Sequence, residues 1–398
     1  LLSAFPLVSE TLFPRWNASL LGRWEGAMGA RPETKLTALR DDAGAEAPAG
    51  EHPLGFPLGF TVAEAVARVG ALLEDMGLTT GFADLVALFG HGSQSLNNPH
   101  ESAHDCGACS GKHGGPNARL FASLANTPAV RAGLGERGIE IPESTRFVGA
   151  FHDTCTSGVT YFDLELVPES HLPLVEELQA GIEVARTLSA HERCRRFESA
   201  SLGLTPAEAL RHVEARATHL AQPRPEYGHA TNALCFVGRR RWSRGLFLDR
   251  RAFLVSYDPS RDPELDVLTR LLTSVGPVGA GINLEYYFSF VDNERYGCGT
   301  KLPHNITGLL GVMNGHRSDL RTGLPWQMVE IHEPVRLLTV VEATPAALEE
   351  VAARSPGVAE LVGGGWINLV SLHPETGELQ LYTSGGFEAY VPPERPLP

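Results

Sequence analysis

The stretch from Leu85 to Arg119 constrains the fold of this chain more than any other part of it. It opens with five apolar residues, 85–89, whose length and composition predict a fully buried β-strand. The strand stops at Gly90, and His91 follows at its carboxyl end, where open α/β sheets bind their ligands. The loop that comes next is rich in glycine, which lets a backbone adopt positive φ angles and approach a ligand closely. The stretch therefore predicts a strand, a ligand-binding loop and a helix in succession.

Two residues of this stretch are candidate zinc ligands. His91 offers an imidazole and Cys106 a thiolate, and catalytic zinc keeps one further position open for water or substrate. The competing interpretation is a core histidine and a small buried cysteine. The strand-end position of His91 and the glycine-rich setting of Cys106 make the two interpretations equally well supported by the residues alone. Asp105 is a candidate for orienting a ligand, as carboxylates do around metal-bound imidazoles.

Other histidines and cysteines are weaker candidates. Cys106 and Cys109 form a Cys-x-x-Cys pair, which is also typical of a redox pair or a structural zinc site, although Cys109 would serve equally as a packing residue. A second predicted strand ends in His152, Asp153 and Cys155, which resemble a second metal cluster on thinner evidence. The remaining ones are interpreted as surface or structural residues: His100, His104, His113, Cys194, Cys235, Cys298 and His304.

Composition narrows the class of protein. A length of 398 residues predicts two or three domains, and six cysteines predict a reduced, cytoplasmic setting and no disulfide scaffold. A net charge of −14 argues against nucleic-acid binding and against simple electrostatic docking on anionic lipid. The sequence has no apolar run long enough to span a bilayer. Because it begins Leu1-Leu2, without methionine or a signal peptide, we interpret it as part of a longer protein.

The hydrophobic pattern predicts an α/β protein. Thr61 and Glu64 form a capping box that starts one helix, and Thr205 and Glu208 start another. The segment 276–326 is predicted to be a structured loop region. The apolar segment 271–290, which overlaps it, is predicted to form a strand and a turn. We therefore divide the chain into four parts: an N-terminal remnant and linker (1–60), a zinc-site α/β core (61–170), a helical and mixed segment (171–270), and a Gly/aromatic-rich loop region with a C-terminal α+β segment (271–398).

Several motifs resemble one known family. The sequences GHGS at 90–93, DCGAC at 105–109 and GPNAR at 115–119 resemble the signature of the DabA family, the large peripheral zinc-binding subunits of bacterial inorganic carbon transporters. Further blocks at 224–228, 282–289 and 319–327 extend the resemblance, which runs from about residue 61 to the C-terminus. Asp153 and Cys155 depart from the family, which usually has Asn and Thr at these positions.

The resemblance implies a site and a fold like those of β-type carbonic anhydrases, with a parallel-sheet core. Zn²⁺ in the family is held by a histidine and a cysteine fifteen residues apart, which His91 and Cys106 match. The other two ligands are a cysteine and an aspartate from an upstream Cys-x-Asp-x-Arg motif, which this chain lacks. The resemblance thus implies that the chain is the C-terminal portion of a longer protein.

The resemblance also implies a function and a partner. The complete subunit would convert CO2 to bicarbonate at the cytoplasmic face of the inner membrane, as a peripheral protein. Its partner would be an integral membrane DabB-type subunit related to the proton-translocating subunits of respiratory complex I. Two alternatives remain open: a free-standing β-carbonic-anhydrase-like enzyme, and a non-catalytic zinc scaffold of a membrane complex.

Overall fold

A computed structural model describes residues 36, 38–40, 59–93, 112–218, 231–297 and 334–391. The chain divides into two compact units, the first comprising 1–226 with 307–310 and the second 227–306 with 311–398. Most of the predicted linker, and the loop that carries Asp105, Cys106 and Cys109, lie outside the described residues. The two units confirm the α/β class, whereas the four-part division stays a prediction.

The first unit contains a three-stranded sheet with helices packed against it. Its order is β1-β2-β3, with β1 parallel to β2 and β3 antiparallel to β2. In chain order its elements are α1 (Val62–Asp75), β1 (Leu85–Gly92), α2 (Gly115–Ala125), α3 (Pro128–Glu136), β2 (Arg146–Asp153), β3 (Val159–Tyr161), α4 (Leu172–Cys194) and α5 (Pro206–Ala217).

Apolar side chains of α1, α2, α3 and β2 form the core of this unit. Val69, Leu73, Leu134 and Phe147 are almost fully buried there. The predicted complete burial of β1 is wrong, since Phe89 is 37% exposed. The reason is topological: among the described strands β1 lies at the edge of the sheet, with β2 as its one partner.

The second unit contains a six-stranded mixed sheet in the order β5-β4-β6-β7-β8-β9. Its first four strands are mutually parallel, and β8 and β9 are antiparallel additions. In chain order its elements are β4 (Leu234–Gly238), β5 (Ala252–Ser256), α6 (Asp266–Asp292), β6 (Leu338–Val341), α7 (Pro345–Arg354), α8 (Pro356–Gly363), β7 (Asn368–Leu372), β8 (Leu379–Thr383) and β9 (Gly386–Ala389).

The prediction of strand, turn and loop over 271–292 is wrong, because these residues belong to the helix α6. The helix has 27 residues and contains Pro277, which lacks an N–H and normally interrupts helices. Packing overrides this preference, since Leu268 and Leu272 of α6 are buried in the core of the unit. Asn283 is fully buried as well; its side chain donates to Asn232 O at 3.0 Å and accepts from Leu337 N at 3.2 Å. A residue that looked loop-forming thus ties α6 to the residues before β4 and β6.

The structure also differs from the hydrophobic pattern at shorter elements. Alternation over 159–167 predicts one strand, but β3 ends at Tyr161 and two 3₁₀ turns follow it. Residues 247–248, which the pattern also predicts to be a short strand, form none. The helix α8 and the strand β9 are elements that the pattern did not predict. Among the described residues, no helix is both long and apolar enough to cross a bilayer.

A buried carboxylate connects β4 to β6. Glu342 follows β6 and has no solvent exposure. It accepts hydrogen bonds from the backbone N and Nε of Arg239, each at 2.7 Å, and from Nε1 of Trp242 at 2.6 Å. Arg239 follows β4, so the ion pair holds the carboxyl ends of two neighbouring strands together.

We expect Glu342→Gln to weaken this connection. Removing one partner of a fully buried ion pair costs about 3 kcal/mol, and we expect a smaller loss here because the side chain of Arg239 is 26% exposed. Amide hydrogen exchange in peptides covering 234–242 and 338–342 should become faster. Glu360→Gln, which removes an exposed carboxylate on α8, is the matched control and should leave exchange unchanged. Equal exchange in both variants would show that the ion pair does not hold the strands.

Candidate metal centre

His91 lies near the carboxyl end of β1, at the position the sequence predicted for a ligand-binding residue. Its imidazole is exposed and makes no hydrogen bond to another described residue. In the parallel register His91 is the neighbour of His152 on β2. Residues paired in the register of two parallel strands project from the same face of the sheet. The two imidazoles therefore lie on one face of the first unit's sheet, near the carboxyl ends of β1 and β2. The sequence alone indicates a separate cluster of His152 with Asp153 and Cys155.

The two ends of the loop that carries Cys106 meet at His91. The chain leaves the described residues after Ser93 and returns at Lys112, and Gly114 N donates to His91 O at 2.7 Å. The helix α2 begins immediately afterwards, at Gly115. Asp105, Cys106 and Cys109 lie outside the described residues, so their part in a metal site stays a prediction.

Close backbone contact fixes this junction. A methyl group on Gly90 would lie 2.1 Å from Gly114 O, far inside any real contact distance. Glycine at position 90 therefore allows β1 to approach the start of α2. His113 caps the junction: its Nδ1 accepts from Gly115 N at 3.3 Å, and its ring packs on Phe151 with 4.8 Å between centroids. The half-buried ring of His113 thus packs at the junction, which differs from the loop-surface position that the sequence indicated.

The turn after β2 is held by its own hydrogen bonds. The carboxylate of Asp153 accepts from Cys155 N at 3.1 Å and from Thr156 Oγ1 at 2.5 Å. Cys155 is fully buried, with its Sγ 3.2 Å from Ser93 Oγ. Thr154 N donates to Gly92 O at 2.8 Å, which joins the turn to the end of β1. These bonds favour a structural role for Asp153 and Cys155 over the second metal cluster that the sequence suggested.

A buried arginine, which sequence reasoning missed, supports the same turn. Arg193 on α4 is 1% exposed. Its Nη1 donates to Thr154 O at 3.1 Å and Cys155 O at 2.9 Å, and its Nη2 donates to Ser157 Oγ at 2.7 Å. A buried guanidinium is tolerated only with such partners. Arg193 therefore connects α4 to the turn after β2, close in the chain to His152 and, through the strand register, to His91.

The cysteines interpreted as packing residues behave as such. Burial raises the pKa of the Cys235 thiol to about 12. Burial also raises the pKa of Cys194, an effect that the nearby Arg193 partly opposes. A raised pKa keeps a thiol protonated and poorly reactive, which agrees with a packing role for both residues. Among the described residues no three His, Cys, Asp or Glu side chains come together as a possible metal site, and His91 is the described member of the predicted pair.

Fold and site together define a mixed α/β protein with a histidine exposed at the end of a parallel edge strand. The chain belongs to the DabA family: the family model described as "Probable inorganic carbon transporter subunit DabA" matches residues 1–367. The match extends over both units of the structure. The signature resemblance found in the sequence is thereby confirmed.

Curated relatives support this membership. The chain is 55% identical to "Probable inorganic carbon transporter subunit DabA 2" of Sorangium cellulosum over 398 residues, which is 100% of this chain and 38% of the relative. It is 54% identical over 376 residues to the subunit of Dechloromonas aromatica, covering 94% of this chain and 37% of that protein. It is 53% identical over 380 residues to the subunit of Methylococcus capsulatus, covering 95% of this chain and 35% of that protein. The chain thus spans well under half the length of these relatives. No solved structure matches it.

We expect Gly90→Ala to separate β1 from α2. The added methyl group must displace Gly114 and strain its bond to His91, and overpacking of this kind costs about 1–3 kcal/mol. Hydrogen exchange should rise in β1 and in the first turn of α2. The control is Gly135→Ala in α3, where a methyl group meets nothing within 4 Å. That substitution should raise helix stability slightly, by up to about 1 kcal/mol. A stable, unchanged junction in Gly90→Ala would contradict the close-packing account.

Proposed function

We propose that this chain is the C-terminal portion of a subunit for energy-coupled uptake of inorganic carbon, which converts CO2 to bicarbonate at a zinc site. The observation that carries the proposal is the exposed His91 at the end of β1, whose backbone is bonded to Gly114, just after the loop that bears Cys106. The family's printed description, an inorganic carbon transporter subunit, gives the substrate class.

His91 and Cys106 are the residues of this chain that would hold the metal. An exposed imidazole whose backbone is fixed on both sides suits a zinc ligand, because zinc requires its donors at well-defined positions. Bound zinc supplies a Lewis acid that makes water nucleophilic at neutral pH, for which carbonic anhydrase is the standard example. Asp105, next to Cys106, would accept a hydrogen bond and orient the neighbouring ligand.

Among the described strands β1 has a partner on one side only, and its other side suggests where the other two ligands would enter. Edge strands that must stay unpaired usually carry charged residues or proline. The sequence of β1, LVALFGHG, contains no proline and no Asp, Glu, Lys or Arg. A groove beside the start of β1, lined by Leu85 and by Leu174, Leu178 and Ile182 of α4, adds apolar surface there. We infer that another part of the longer protein adds a parallel strand to this edge. Such a strand would bring the Cys-x-Asp-x-Arg motif beside His91 and complete a β-carbonic-anhydrase-like core.

The need for energy coupling supports a membrane partner. A carbonic anhydrase alone only accelerates an equilibrium and cannot accumulate bicarbonate. We therefore propose that the subunit works at the cytoplasmic face of the inner membrane with an integral DabB-type protein related to proton-translocating subunits. The word "subunit" in the relatives' descriptions supports an assembly.

The zinc site can be tested in the full-length protein by comparing two loop cysteines. Cys106→Ser and His91→Ala should each remove zinc, because a hydroxyl or a methyl group cannot replace the lost donor, and should abolish bicarbonate accumulation in cells. Cys109→Ser, three residues away, should retain both. Zinc content is measured by elemental analysis of the purified protein and accumulation by uptake of labelled carbon.

Three results would contradict this account. Equal loss of zinc in Cys106→Ser and Cys109→Ser would indicate a Cys-x-x-Cys site. Full zinc content in His91→Ala, with the imidazole ligand still present, would remove the histidine from the metal centre. Rapid CO2 hydration by the soluble protein, together with carbon supply in cells that lack the membrane partner, would instead support a free-standing enzyme.

A further inference from the structure

The connection from β4 to β5 concentrates positive charge in an acidic protein. Residues 239–251 contain six arginines and one aspartate, whereas the whole chain has a net charge of −14. We call residues 239–247 of this connection the arginine knuckle. It has no part in the candidate metal centre, which lies in the other unit.

Consecutive tight turns make the arginine knuckle compact. Residues 240–242 form a 3₁₀ turn, in which Trp242 N donates to Arg239 O at 3.1 Å. A second turn follows at once, closed by Leu246 N donating to Ser243 O at 3.2 Å. Gly245 occupies its third position with φ +83°, which favours glycine. The residues of the knuckle are therefore held close together in space.

The base of the knuckle is anchored to the sheet. Arg239 and Trp242 bind the buried Glu342. Arg240 Nη2 donates to Leu254 O at 3.1 Å, and Arg241 Nη2 donates to Pro374 O at 2.9 Å. These bonds fix where the arginines emerge while leaving them at the surface, since Arg240, Arg241 and Arg244 are all exposed. Such a surface presents its charges without first having to become ordered.

Two large apolar side chains extend from the same knuckle. Leu246 is 62% exposed and Phe247 is 72% exposed. Exposed arginines next to an exposed leucine and phenylalanine are the combination that interfacial membrane segments present: the cations bind anionic headgroups and the apolar side chains enter the boundary of the acyl chains.

We propose that the arginine knuckle docks on an anionic lipid surface. The net charge of −14 by itself argues against such docking, but charges are screened over about 8 Å at physiological salt, so the local cluster of arginines decides the contact. The described acidic groups at its base are Glu342 and Asp258. Glu342 is paired with Arg239 and lies 3.6 Å from Arg241 Nη2, and Asp258 lies 3.9 Å from Arg239 Nη1. None of these contacts involves Arg240 or Arg244. The proposal rests on the membrane location in the proposed function and is independent of the zinc site.

Vesicle co-sedimentation of the full-length protein tests this docking. The probes are vesicles of phosphatidylglycerol mixed with phosphatidylcholine, and vesicles of phosphatidylcholine alone. The wild-type protein should bind the anionic vesicles and be released by salt. Each arginine near an anionic surface contributes about fivefold in affinity, so Arg240→Gln with Arg244→Gln should weaken binding about 25-fold. Arg244→Gln alone, which disturbs no bond described above, should weaken it about fivefold.

A matched control removes the same charge elsewhere. Arg211→Gln with Arg295→Gln changes two exposed arginines outside the knuckle and should alter binding less than twofold. Leu246→Ser should weaken the binding that persists at high salt, whereas Leu202→Ser, at a side chain 80% exposed, should not. Equal weakening by the control pair would overturn the proposal, as would absence of binding to anionic vesicles. Binding that appears only with an acidic protein partner would also overturn it. Zinc content should be the same in all these variants, so a failed docking result leaves the metal-site proposal to its own test.

Discussion

The contact between the end of β1 and the start of α2 is the constraint on which the candidate site depends. Two glycines, Gly90 and Gly114, allow the two backbones to touch, and the bond from Gly114 N to His91 O fixes the strand end. The loop that carries Cys106 must therefore begin and end at the histidine that would share its metal. A larger residue at either glycine would widen the junction and move the imidazole away from the return of the loop.

Hydrogen bonds to buried groups stabilise the carboxyl ends of the strands in both units. In the first unit the guanidinium of Arg193 binds the turn after β2, and in the second the carboxylate of Glu342 binds the residues after β4. Each charged group is buried, so its polar atoms need hydrogen-bond partners inside the protein. The consequence differs between the units. In the first unit the imidazole of His91 stays exposed near the end of β1. In the second unit the ion pair of Glu342 and Arg239 follows the carboxyl ends of β6 and β4, and Arg240, Arg241 and Arg244 are exposed.

The sequence predicted local structure well where the signal was local. The capping boxes at Thr61 and Thr205 start α1 and α5 as expected, because both partners lie within one turn. The helix α6 escaped prediction, since Pro277 and Asn283 read as loop residues until their packing against the sheet was known. Among the candidate site residues, the position of His91 near the end of β1 was predictable from an apolar run followed by glycine. Arg193 was not, because the carbonyl groups that it binds lie about forty residues earlier in the chain. Cys106 and Asp105 lie outside the described residues and stay predictions.

The central claim is that His91 is one ligand of a zinc site completed by another part of the longer protein. X-ray absorption at the zinc edge of the full-length protein tests it most directly. The proposed site predicts one imidazole nitrogen at about 2.0–2.1 Å and two sulfurs at about 2.3 Å, with an oxygen in the fourth position that comes from the carboxylate or from water. It also predicts that the imidazole scattering disappears in any zinc retained by His91→Ala. A shell of four sulfurs, or imidazole scattering unchanged in that variant, would contradict it.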